Sequence, residues 1–201
     1  VSRPIGPTME QAKRDCILLE AARAFARFGF KKTSIDEVAR AAGVAKGTVY
    51  LACESKEDLF YQVLHREIRD WSAETAKLID PRIPADQLLA MMSEQGIAYL
   101  ESRPLVRDLL FGRLDESLPQ FGDRLDALRR IGTSNVVEVL KLGIEQKRFR
   151  QDLDVDTIAS LLLDLQIAAY LFHDRGPDRE ERLKKRRAVA LDLILRGTVR
   201  A

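Results

Sequence analysis

The stretch from Ser34 to Cys53, SIDEVARAAGVAKGTVYLAC, constrains this chain more than any other part of it. Ile35, Val38, Ala39 and Ala42 recur at three- and four-residue spacing, so they share one face of a helix. Ser34 with Glu37 three residues on is a capping-box pattern that starts such a helix. Gly43 stops it, because glycine enters the left-handed backbone region without a Cβ penalty. A second short helix is predicted from Lys46 to about Ala52, with Val44, Val49 and Ala52 turned inward. The small Ala39 lets the two helices cross closely. The whole is a helix-turn-helix pattern, whose second helix enters the DNA major groove.

Charge agrees with that reading without deciding it. Residues 1–66 hold 11 Lys and Arg against 8 Asp and Glu, whereas residues 67–201 hold 22 against 23. The positive excess lies with the helix-turn-helix, where phosphates would need it. Hydrophobic residues make up 46% of the chain and charged residues 32%, which suits a helical protein with a proper core. No apolar run reaches the roughly 20 residues that cross a bilayer, so no membrane role is expected. The first residues, VSRPIGPTMEQAKR, are too polar for a signal peptide. Cys16 and Cys53 have no metal-type spacing, so neither a disulfide framework nor a metal site is expected, and a cytoplasmic protein is the natural reading.

In chain order, residues 1–8 read as a flexible arm, on which Arg3 is placed to reach a minor groove. A helix from about Met9 to Phe28 carries Ile17, Leu18, Ala21, Ala22, Phe25 and Phe28, and Gly29 stops it. Thr33 and Ser34 sit at the start of the second helix, where unpaired N–H groups suit a phosphate. Ala45, Lys46, Gly47 and Thr48 form the exposed first turn of the third helix, the part that reaches base edges. Lys46 can donate to guanine or to a phosphate, Thr48 can meet a base or a thymine methyl, and Gly47 lets the backbone come close. Ser55 with Asp58 caps a fourth helix that runs to about Ile79.

The run Gly29-Phe30-Lys31-Lys32-Thr33-Ser34, together with Lys46-Gly47-Thr48-Val49-Tyr50 and Ser55-Lys56-Glu57-Asp58-Leu59-Phe60, resembles the DNA-binding domain of the tetracycline-repressor (TetR) family. The resemblance covers about Ile17 to Val63. It implies that Thr33 touches the DNA backbone and that Tyr50 and Lys56 contact phosphates. Ala52 and Cys53 depart from the pattern, which usually has an aromatic or histidine and then an aromatic there. Cys53 could also make the junction redox-sensitive, although an inert buried thiol is the plainer expectation.

The remainder reads as five more helices, giving an all-α chain of about nine helices. The expected domains are a helix-turn-helix domain at 9–55, a connecting helix at 56–79 and an effector-binding and dimerisation domain at 80–201. The segment from Val155 to His173 is apolar nearly all round and should be buried on several sides. The resemblance implies that the last two helices pair with their copies in a homodimer that reads a palindromic operator. Ile158, Leu162, Leu165, Ala169, Phe172, Leu191 and Ile194 are the expected interface. It also implies a pocket for a small effector. Met91, Met92, Tyr99, Arg107, Phe111 and Asn135 are candidates on composition, which hints at a largely hydrophobic ligand. His65 and His173 lie on different helices, and no phosphate loop or nucleophile elbow is present, so neither catalysis nor a cofactor is expected. The reading is a repressor released by its effector. The alternative is an effector-free DNA-binding or interaction protein whose C-terminal domain only dimerises.

Overall fold

The structure, a computed structural model, describes residues 9–110, 122–171 and 178–198. Its regular elements among the described residues are α-helices: α1 Met9–Lys32, α2 Ile35–Ala41, α3 Lys46–Ala52, α4 Lys56–Ala76, α5 Ala85–Ser102, α6 Pro104–Leu110, α7 Gly122–Glu145, α8 Val155–Leu171 and α9 Arg179–Thr198. The fold is all-α, as the periodicities require. None of the described helices is long and apolar enough to cross a membrane. The arm at 1–8 with Arg3, Phe111 and Phe172 lie outside the described residues. Two compact units divide between Glu67 and Ile68.

In the first unit, Ile17, Ala21 and Phe25 of α1 meet Val38 and Ala39 of α2, Val49 of α3, and Leu59, Phe60, Val63 and Leu64 of α4 in the core. Gly29 breaks α1 at φ 77°, ψ 165°, and Thr33 N–H bonds back to its carbonyl. The ring that joins Phe25 and Phe60 comes from beyond this break. Phe28, expected on the inner stripe, stays 45% exposed with the Arg27 guanidinium 5.0 Å from its ring centre. Phe30, past the glycine, instead packs on Phe25 and Phe60, with centroids 6.1 and 5.2 Å away. The backbone turn at Gly29 brings Phe30 against α4, and Phe28, in the last turn before it, is left at the rim.

In the second unit, Leu88, Leu89 and Met92 of α5, Val139 and Leu140 of α7, and Ala159 and Leu162 of α8 enclose Phe149 and Leu153 of the α7–α8 connection. Gln146 fastens the end of α7 to the approach to α5. It donates to the carbonyls of Pro81 and Ile83 and accepts from Ala85 N–H, each at 3.0 Å. Buried Asn135 donates to the Ser72 carbonyl at 2.6 Å and to Thr75 Oγ1 at 2.5 Å, tying α7 to the last turns of α4. Helix α4 ends at Ala76, three residues before the expected Ile79. Lys77, Leu78 and Ile79 continue it as tighter turns, each N–H bonded three residues back.

Among the described glycines, Gly143 has the least room beside it. A Cβ on it would run into the ring of Phe149. We expect Gly143→Ala to destabilise the protein by about 1–3 kcal/mol, seen as a lower melting temperature by circular dichroism. Adding Phe149→Leu should recover part of the loss, because the ring is what the new methyl meets.

Candidate functional site

The helix-turn-helix is built by backbone bonds at both ends of α2. Ser34 Oγ accepts Glu37 N–H at 3.2 Å, and Glu37 Oε2 accepts Ser34 N–H at 2.9 Å, completing the capping box. The Ser34 N–H and the Ser34 hydroxyl, both donating to Glu37 Oε2, hold the Glu37 carboxyl below its ordinary pKa. At the other end Gly43 adopts φ 66°; its N–H bonds Arg40 O at 3.2 Å, and Val44 N–H bonds Ala39 O at 3.0 Å. This pair of bonds around a left-handed residue is the Schellman motif. It turns the chain in four residues, so that α3 starts at Lys46.

Helix α3 buries Val49 and turns its other side outward. Ala45, Lys46, Gly47, Tyr50 and Leu51 are exposed and Thr48 is half-buried, so the expected base-reading turn faces solvent. Space is open around Gly47. Leu51 is 89% exposed, one turn beyond Gly47 and Thr48 on the same side. Sequence reading passed over it, although its spacing from Thr48 was available. Lys46 Nζ reaches back to Asp36 Oδ2 at 2.8 Å, an exposed ion pair across the two helices that raises the lysine's pKa.

Three of the expected phosphate contacts have partners inside the unit. Thr33 is only 2% exposed; its hydroxyl donates to Gly29 O at 2.9 Å and Ala24 O at 3.2 Å. The Ser34 hydroxyl is held by Glu37. Lys56 Nζ donates to Phe30 O at 3.0 Å and Thr33 O at 3.2 Å, with its charge 4.4 Å from the Phe30 ring centre. It therefore caps the end of α1. Lys31 and Lys32 remain exposed beside it.

At the Ala52-Cys53 departure, Gln62 substitutes a polar clamp for aromatic packing. Its Nε2 donates to Ala52 O at 3.1 Å and to Asp58 Oδ2 at 2.8 Å, while its Oε1 accepts from Arg14 at 2.9 Å. Cys53 is buried, its thiol donating to Val49 O at 3.3 Å, and burial pushes its pKa up to about 11. Cys16 is exposed.

The second unit contains a cleft. Its open volume is ≈ 850 Å³ out to the mouth. Residues of α4 to α9 line it, including Ile68, Trp71, Met92, Tyr99, Val136 and Leu162. Trp71 and Tyr99 stack in its wall with centroids 4.2 Å apart. None of the described lining residues carries a charge. Of the composition-based candidates, Met92 and Tyr99 line the cleft. Met91 points outward at 39% exposure, Arg107 lies 3.7 Å from Asp108, and Asn135 is occupied by α4. Trp71, Ser93 and Gln166 were missed, because a helical period does not say which inward face borders a void.

The apolar surface of α8 and α9 divides differently from the expected interface. Leu162 belongs to the core, and Ile158, Leu191 and Ile194 pack against it. Leu161, Leu165, Val189 and Leu193 face out, Leu193 at 66% exposure. The side chain of Ala169 lies outside the described residues. Only Leu165 of the expected set is among these exposed residues.

Residues 17–63 match the bacterial regulatory proteins of the tetR family. The HTH-type transcriptional repressor KstR2 of Mycolicibacterium smegmatis is 30% identical over 165 residues, covering 80% of this chain and 79% of that protein. A TetR-family transcriptional regulator from Mesorhizobium loti shares the fold at a TM-score of 0.78, with 20% identity over 96% of this chain and 100% of its own. FadR of Bacillus subtilis, solved in complex with stearoyl-CoA, does so at 0.71, with 19% identity over 91% and 98%. A helix-turn-helix with an outward-facing second helix, on an all-α chain, defines a DNA-binding transcriptional regulator rather than an enzyme. The chain belongs to the tetR family of bacterial regulatory proteins.

The two thiols should react differently. With the Cys53 thiol protonated until about pH 11, iodoacetamide at pH 8 should alkylate Cys16 and leave Cys53 intact in the folded protein, as peptide mass spectrometry would show. Equal labelling would mean that the α3–α4 junction opens.

Proposed function

We propose that the protein is a homodimeric repressor, acting in the bacterial cytoplasm, that binds a palindromic operator and is released by a small, largely hydrophobic effector. The observation that carries the DNA-binding half is the outward face of α3, which presents Ala45 to Thr48, Tyr50 and Leu51 while Val49 alone anchors the helix. In this reading Gly47 allows close approach. Thr48 and Leu51 meet base edges and thymine methyls, and Lys46 and Tyr50 contact phosphates. Thr33, Ser34 and Lys56 hold the unit in shape, and the phosphate contacts near the start of α2 fall to Lys31 and Lys32.

The effector half is supported by the cleft, whose described lining is without charge, and by α4, which begins at Lys56 and contributes Ile68, Trp71 and Thr75 to the cleft. A ligand there acts on the same helix that packs against the DNA-reading elements. That is the material for a coupling free energy, typically about 1–3 kcal/mol. FadR, which shares the fold, holds stearoyl-CoA, so this fold can accommodate an apolar chain. Dimerisation is assigned to Leu161, Leu165, Val189 and Leu193, whose exposure calls for a cover that a twofold copy would provide.

Binding to duplex DNA from beside the protein's own gene, titrated across a salt series, tests this reading. One or two dimers should bind a short palindrome with strong salt dependence. Thr48→Ala and Leu51→Ala should change which sites are preferred, by about 1–3 kcal/mol at the affected base pairs. Lys46→Ala and Tyr50→Phe should weaken all sites alike, and Asp36→Asn should strengthen them by freeing Lys46. Lys56→Ala should lower the melting temperature. Leu193→Glu should yield monomers in sedimentation and abolish operator binding. Weak binding indifferent to sequence would favour the interaction-module alternative.

A further inference from the structure

The cleft is apolar except at a few positions, and most of its polar groups are already satisfied. Thr75 Oγ1 donates to the carbonyls of Trp71 and Ser72 and accepts from Asn135, and Thr133 Oγ1 bonds back to Arg129 and Arg130. Ser93 and Gln166 differ. Both line the cleft, and neither makes a hydrogen bond to another described residue, although Ser93 is only 6% exposed. They line the same cleft from α5 and α8. A Cβ on Gly96, one turn from Ser93, would stand 3.5 Å from Gln166 Oε1, and both side chains border a side recess closed by Leu162, Leu165, Ala190 and Leu191. Their polar atoms are reached from the cleft and are free to bond what enters it. A hydroxyl and a carboxamide left open together therefore mark a place for a complementary polar atom.

We propose that Ser93 and Gln166 form the polar anchor of the cleft, and that its effector is a neutral, largely apolar molecule carrying one hydroxyl or carbonyl group. This rests on the effector reading of the cleft. Between them the two side chains offer both donors and acceptors, so either an alcohol or a ketone is served. No charged side chain stands among the described lining residues to neutralise an ionised group, which would have to stay at the mouth.

Trp71, the chain's single tryptophan, lines the cleft and reports on occupancy. Its emission should be followed while the full chain is titrated with four probes of one shape: butylbenzene, phenylbutanol, butyrophenone and phenylbutyrate. The alcohol and the ketone should bind roughly tenfold more tightly than butylbenzene, with phenylbutyrate the weakest. Ser93→Ala and Gln166→Leu should erase most of that advantage while keeping butylbenzene affinity, which also shows that the cleft is intact. If butylbenzene binds as well as the alcohol, if phenylbutyrate binds best, or if both variants keep the preference, the anchor is wrong and the apolar cleft stands. If no probe changes Trp71 emission, the cleft is not an effector site and both readings fall.

Discussion

Two backbone bonds at the end of α2 hold the DNA-reading unit in its form. With Gly43 at φ 66°, its own N–H and that of Val44 return to Arg40 and Ala39, and the chain leaves α2 in the direction that α3 needs. An L-residue with a Cβ is strained in that conformation. The rest of the unit follows from it. Val49 drops into the core beside Val38 and Ala39, and the remaining side of α3 faces water because the helix has one buried residue to orient it. A short helix with one apolar anchor has little stability of its own and depends on tertiary packing. Its far end is fastened by Gln62 on the Ala52 carbonyl.

Charge within this unit serves two tasks that sequence does not separate. Lys56, part-buried, caps carbonyls and lies over an aromatic ring. Lys46, Lys31 and Lys32 lie on the surface, where a phosphate can compete for them. Lys46 already has a carboxylate neighbour in Asp36, so the free unit is partly neutralised at the face where DNA would arrive. An exposed pair of this kind contributes little to stability and is readily exchanged.

The second unit resolves a different conflict. It must bury enough apolar surface to fold and still keep a void. The tight contact of Gly143 with Phe149 lies in the core among α5, α7 and α8, whereas the cleft lies beside Trp71 and Tyr99. The polar side chains follow the same division. Asn135 and Thr75 satisfy each other and tie α7 to α4, while Ser93 and Gln166 are left facing the void.

The sequence by itself determined the all-α class, the helix starts at Ser34 and Ser55, and the stops at Gly29 and Gly43. It also located the exposed turn Ala45 to Thr48. Each of these rests on contacts between residues within about five positions of one another, where caps, periods and left-handed glycines are legible. Tertiary structure decided what needs distant partners. It packed Phe30 rather than Phe28 against Phe25 and Phe60, and committed Thr33 and Lys56 to the carbonyls of α1. It turned Leu162 and Leu191 inward and Leu161 and Leu193 outward on helices whose apolar residues run nearly all round or in two stripes. It also selected Ser93 and Gln166 as the polar pair in the cleft. A helical period tells which residues share a face, but which face meets a core, a void or water depends on the helices packed against it.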